Sequence, residues 1–148
     1  VGITNAGGLR ADLAEGPLDK GDVLNALPFL NDSVTLEVTG GALRAVLEQG
    51  CSFEAGMVQV SGVRMTWDRT RPAGARVLDV QVHGAPLELE RRYRVTTNSF
   101  LAEGGDGYAG FVGSRVLARD LVLSDLVLDH IRRAGTITPP PGGRIVAR

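Results

Sequence analysis

The stretch "TNSFLAEGGDGYAGF", Thr97 to Phe111, sets a phenylalanine, a carboxylate and two further aromatics around three glycines. A hairpin turn needs one or two glycines, and a core needs no acid between them. Gly104, Gly105 and Gly107 let the backbone curl so that Asp106 points back toward Phe100. A carboxylate in that place can accept hydrogen bonds from two vicinal hydroxyls, beside a flat ring. Tyr108 and Phe111 are assigned to the core, because aromatics make up only 5% of the chain.

Two other loops carry residue types suited to recognition. In "NAGGLR" the guanidinium of Arg10 follows Asn5 and the backbone amides of Gly7 and Gly8. Such a group suits an anion or a polyhydroxylated ligand; taken alone, the segment also reads as a surface turn with a solvated arginine. In "LPFLND", Pro28 fixes the chain before Phe29, and Asn31 follows with an amide able to read a base edge. Alone, that loop reads equally as a hydrophobic helix end followed by a turn.

Machinery for bond-breaking is hard to find. The histidines are His83, at a hairpin turn, and His130, on a late helix. Neither has metal-ligand spacing, and both are assigned structural roles. No Gly-x-Ser-x-Gly elbow or phosphate-binding Gly-x-x-x-x-Gly-Lys loop occurs. Cys51 is the single cysteine, which excludes an intrachain disulfide. The formal net charge of −1 gives no reason to expect a nucleic-acid polymer or an anionic membrane as partner. No apolar run approaches the ~20 residues of a membrane helix. The chain opens on "VGIT" with neither initiator Met nor signal peptide. It is therefore read as a piece of a longer protein, with its compartment set by residues elsewhere.

The elements that must position these loops follow from periodicity. "VGITN" reads as a short strand ending at Asn5, and a helix spans about Lys20 to Ala26 before Pro28. "SVTLEVTG" alternates as a half-buried strand, and "GGALRAVLEQG" is a helix with Gly50 as its C-cap. "VQVSGVRMTWD" and "ARVLDVQVHG" read as strands, followed by a turn at "HGAPL" and a strand in "ELERRYRVTTNSF" that runs into the Phe100 loop. "LVLSDLVLDHIRRAG" is an amphipathic helix with Ser124 as N-cap and Gly135 beyond its end. "RIVAR" closes as a strand. At 148 residues the chain is sized for one domain, and the order of elements predicts an α+β fold with mixed sheets and flanking helices.

Together, "NAGGLR", "GPLDKGDVLNALPFLN", "VTGGALRAVLE" and "YRVTTNSFLAEGGDGYAGF" resemble the C-terminal domain of the 5′-nucleotidases. That family includes bacterial UDP-sugar hydrolases, 2′,3′-cyclic nucleotide phosphodiesterases and animal ecto-5′-nucleotidase. The resemblance runs in order from Val1 to about Phe111. It implies that Phe29 and Phe100 clamp the nucleobase and that Asp106 binds the ribose hydroxyls. Arg10 would grip the ribose-phosphate side, and Asn5 and Asn31 would contact the ligand around the base. Leu30 stands where a small residue is frequent. It further implies that residues 1–148 are a substrate-binding domain without catalytic residues. Hydrolysis, with two divalent metal ions, would belong to an N-terminal metallophosphoesterase domain outside this chain, which would be this domain's partner. A periplasmic, cell-surface or secreted bacterial setting is implied in the same way.

Overall fold

The computed structural model describes residues 1–54 and 56–148. In chain order the elements are β1 (Gly2–Thr4), α1 (Lys20–Ala26), β2 (Asp32–Thr39), α2 (Gly40–Gly50), β3 (Gln59–Ser61) and β4 (Val63–Trp67). They continue as β5 (Val77–Val82), β6 (Ala85–Pro86), β7 (Arg92–Asn98), α3 (Ser99–Ala102), β8 (Arg115–Val122), α4 (Leu123–Ala134) and β9 (Ile145–Ala147). Five strands form one sheet in the order β3-β1-β7-β2-β8, and four form a second in the order β6-β5-β4-β9. Both sheets mix parallel and antiparallel pairs, β1 with β7 and β4 with β9 being the parallel ones. This is the α+β class that the order of elements predicts.

Helix α1 forms where expected, and its sequence explains the start. The Asp19 side chain accepts from the Asp22 backbone N–H while Asp22 reciprocates to Asp19, a capping box closed by two aspartates. Helix α2 starts at the Thr39 hydroxyl, which accepts from Ala42 N–H, and buries Leu43, Val46 and Leu47. It contacts strands of both sheets, β2 and β5. The buried Glu48 carboxylate fastens it to the second sheet, accepting from the N–H groups of Arg76 at 2.9 Å and Val77 at 3.0 Å. The core is one contiguous cluster spanning both sheets, from Ile3 through Leu43 and Met65 to Phe111. Tyr108 and Phe111 belong to it as assigned, their rings nearly parallel at 6.3 Å between centroids.

Four local expectations give way. Helix α2 runs through Gly50 and ends on Cys51, whose φ of −101° makes no left-handed cap. The segment from Val58 to Asp68 is not one strand. Gly62, at a φ of +74°, breaks it into β3 and β4, which join different sheets. Helix α4 begins at Leu123, two residues before the start that a Ser124 N-cap implies, while Leu121 and Val122 complete β8. Ser124 is then buried inside the helix and does not cap it; the first-turn N–H of Leu123 is instead taken by the Asn31 carbonyl at 2.9 Å. Strand β8 itself escaped the pattern. It is an edge strand exposed along most of its length, so nothing in it alternates, and its charged side chains suit an edge that must not pair with another chain. His83 does occupy a hairpin turn, between β5 and β6, at a φ of +49° beside Gly84 at +84°, the left-handed pair that two-residue hairpins favour.

Candidate functional site

The sheet register brings the three candidate loops to one end of the molecule. In the antiparallel pair of β2 and β7, Ser33 lies opposite Asn98. The chain entering β2, which carries Phe29 and Asn31, therefore leaves the same edge as the chain following β7, which carries Phe100 and Asp106. Strand β1 runs parallel to β7, with Gly2 beside Thr96, so its C-terminal end at Asn5 reaches that edge as well. Backbone ties hold the loops to one another: Arg10 N–H donates to the Ala26 carbonyl at 2.9 Å, and Asp32 N–H donates to Ser99 Oγ at 3.2 Å.

Phe100 sits on a single helical turn, α3, and not on an open loop. Asn98 Oδ1 accepts from Leu101 N–H at 2.9 Å and starts that turn. The Phe100 ring then lies against the backbone of Gly105, where an added Cβ would fall 2.4 Å from Cζ. Any other residue at 105 would displace the ring, which explains one of the glycines. Phe100 remains 43% exposed and Phe29 47% exposed. Phe29 and Asn31 line a small cleft with Thr4, Gly8, Leu27, Asn98 and Leu123. Arg10 is exposed and Asn31 half-buried, and Leu30 is 85% exposed.

Asp106 is half-buried and adopts a left-handed conformation, φ 52° and ψ 26°. Such a conformation costs a non-glycine residue free energy unless its surroundings hold it. Two groups do. Asn5 Nδ2 donates to Asp106 Oδ2 at 2.6 Å, and Gln49 Nε2, from α2, donates to the Asp106 carbonyl at 2.9 Å. Asn5 is 5% exposed, and its Oδ1 accepts from Asn98 Nδ2 at 3.3 Å. Its amide thus faces Asp106 and Asn98, joining the ends of β1 and β7. The neighbouring Tyr108 hydroxyl is pushed up to about 12, first by burial and then by the Asp106 carboxylate.

Asn98 and Gln49 are the residues that sequence reasoning passed over. Asn98 carried a readable signal, an asparagine placed where it can cap a turn; Gln49 carried none, since its partner is distant in sequence. Among the described residues no group of three or more His, Cys, Asp or Glu side chains comes together to hold a metal ion, and no helix is long and apolar enough to cross a membrane.

Residues 1–113 match the model of the 5′-nucleotidase C-terminal domain. The chain is similar to the trifunctional nucleotide phosphoesterase YfkN of Bacillus subtilis, 34% identical over 98% of this chain and 11% of that protein. It is 33% identical to the snake venom 5′-nucleotidase of Naja atra, over 97% of this chain and 30% of that one. Its fold superimposes on a 5′-nucleotidase precursor from Thermus thermophilus with a TM-score of 0.92 and 34% identity, covering 99% of this chain and 31% of the other. The chain thus spans between about a tenth and a third of the length of these relatives. The match over residues 1–113 and the shared fold lead to one conclusion: this chain belongs to the 5′-nucleotidase C-terminal domain family.

Proposed function

We propose that this chain is the nucleotide-recognition half of a 5′-nucleotidase-type phosphoric ester hydrolase. Phe29 and Phe100 stack on the two faces of the base, and Asp106 accepts hydrogen bonds from the ribose hydroxyls. Arg10 meets the phosphate side, and Asn31 reaches the base edge from the Phe29 loop. Asn5, whose amide already joins Asp106 and Asn98, contacts the ligand around the base.

The observation that carries this reading is the pair of half-exposed phenylalanines on segments leaving the same end of the sheet, with a carboxylate held by the buried Asn5 amide near them. Base–aromatic stacking contributes roughly 1–3 kcal/mol per base and tolerates any base, since each has a π-face. The reading is therefore of a nucleotide class and not of one nucleotide. The relatives fit that breadth: one is a trifunctional nucleotide phosphoesterase, and a fold neighbour is an NAD nucleotidase of Haemophilus influenzae. UDP-sugars and 2′,3′-cyclic nucleotides belong to the same class of ligand.

In this reading hydrolysis belongs to a preceding metallophosphoesterase domain with two divalent metal ions. In the same reading the part of this half is to bind and orient the substrate. An extracytoplasmic setting goes with the reading, supported by the venom enzymes among the relatives. The test is calorimetric titration of Phe29→Ala and Phe100→Ala with a nucleoside. Affinity unchanged in both variants, with the fold intact, would refute the clamp.

A further inference from the structure

We infer that Asn98 and Gln49 are positioning residues that set the ribose selectivity of the site. The inference rests on the assignment of Asp106 to the ribose hydroxyls. Its starting point is the direction of a hydrogen-bond chain. A backbone N–H can only donate, so the Leu101 N–H fixes Asn98 Oδ1 toward it. The Nδ2 of Asn98 is thereby turned to Asn5 Oδ1 at 3.3 Å and Thr4 Oγ1 at 3.4 Å. Asn5 in turn has its own Nδ2 left for Asp106, which it meets at 2.6 Å. One backbone donor in the turn bearing Phe100 thus dictates, through two buried amides, that the Asp106 carboxylate meets a donor.

Asn98 and Asn5 are 3% and 5% exposed, so water cannot easily stand in for a missing partner, and a half-satisfied buried network is costly. Gln49 completes the hold from the other side. It donates to the Asp106 carbonyl at 2.9 Å and reaches Glu54 Oε2 at 3.4 Å, securing the left-handed backbone that aims the carboxylate. The base platform and the ribose acceptor are therefore fixed relative to each other through side-chain amides.

Asn98→Asp separates the two jobs. An aspartate still caps Leu101 N–H, so the Phe100 turn survives. Its second oxygen faces Asn5 Oδ1 where a donor stood. If the Asn5 amide flips to relieve that clash, it turns its oxygen on Asp106. The flip takes the Asn5 donor away from the Asp106 carboxylate, and its aim with it.

The experiment is calorimetric titration of the 148-residue chain and its variants with adenosine and with 2′-deoxyadenosine. These probes lack phosphate, so they report the base and ribose contacts alone. Wild type is expected to prefer adenosine by about tenfold, the scale of a hydrogen bond to a charged group, and Asp106→Ala should abolish the preference. Asn98→Asp should bring it within about twofold while deoxyadenosine affinity holds, and Gln49→Ala should lower it to about threefold. A general loss of structure would weaken both ligands equally and leave the ratio untouched. If wild type shows no ribose preference, the underlying assignment of Asp106 fails and the inference with it. If wild type shows the preference and Asn98→Asp keeps it, the inference alone is overturned. Should Asn98→Asp not fold, the half-buried Gln49→Ala decides: a preference retained in full there overturns the inference.

Discussion

Phe29 and Phe100 are 47% and 43% exposed, whereas Tyr108 and Phe111, only eight and eleven residues beyond Phe100, are 2% and 1% exposed. The two pairs are chemically alike and experience opposite environments. The buried pair belongs to the hydrophobic core, in a segment packed against α2, where each ring removes a large apolar area from water. The exposed pair forgoes that gain although the core lies within a few residues. What separates them is the backbone between: the Phe100 turn is capped by Asn98 and its ring is propped on Gly105, away from the interior. An aromatic held at the surface by a built support stabilises little on its own account and is available to a ligand.

The contrast can be broken at several points. Phe111→Ala should have the largest effect, lowering unfolding stability by about 3–5 kcal/mol through a cavity in the core. Chemical denaturation measures it, and a loss below about 1 kcal/mol would remove the distinction between the pairs. Phe100→Ala and Phe29→Ala should leave stability within about 0.5 kcal/mol but weaken nucleoside binding by about 1–3 kcal/mol each. In a full-length hydrolase the same substitutions should mainly raise KM with kcat little changed, because stacking is made equally in ground and transition states.

Alkaline titration sharpens the buried side of the comparison. Burial raises the Cys51 thiol from 9.0 to about 11 and the Tyr108 hydroxyl from 10.0 to about 12. Both groups are neutral when protonated, and the unfolded chain gives up these protons first. Stability is therefore complete below about pH 9 and falls as pH climbs from there toward 12. Thermal melts across that window should show the decline, and Cys51→Ala should make its lower part shallower. The smallest effect is expected at Leu30, which is 85% exposed. Leu30→Ser should shift stability by less than about 0.5 kcal/mol, and a larger change in denaturation midpoint would mean that the Phe29 loop is packed more tightly than its exposure indicates.

Much of this arrangement is legible in the amino-acid sequence. The end of helix α1 was legible because Pro28 follows it, and β2 because Val34, Leu36 and Val38 alternate toward a core that lies on one side. The burial of Tyr108 and Phe111 followed from how few aromatics there are to fill a core. Strand β8 was not legible, since a solvated edge strand carries no burial period. The break at Gly62 depends on two sheets diverging, a tertiary event that the local pattern from Val58 to Asp68 does not contain. At the site, the residue types in the three loops were visible, but the paths of their hydrogen bonds were not. Asn5 joins to Asp106 across 101 positions of sequence and Gln49 reaches it across 57, and no local rule encodes pairings of that range.

Helix α2 has a role that follows from its neighbours. It is seated on strands of both sheets, and from it Gln49 grips the carbonyl of Asp106. A ligand that engages Asp106 therefore binds only the form in which the two layers are already docked. By mass action such a ligand raises the stability of the whole domain and not of one loop. If Asp106 is the ribose contact proposed above, nucleoside affinity doubles as a gauge of core assembly, and lesions in α2 should register as weakened binding.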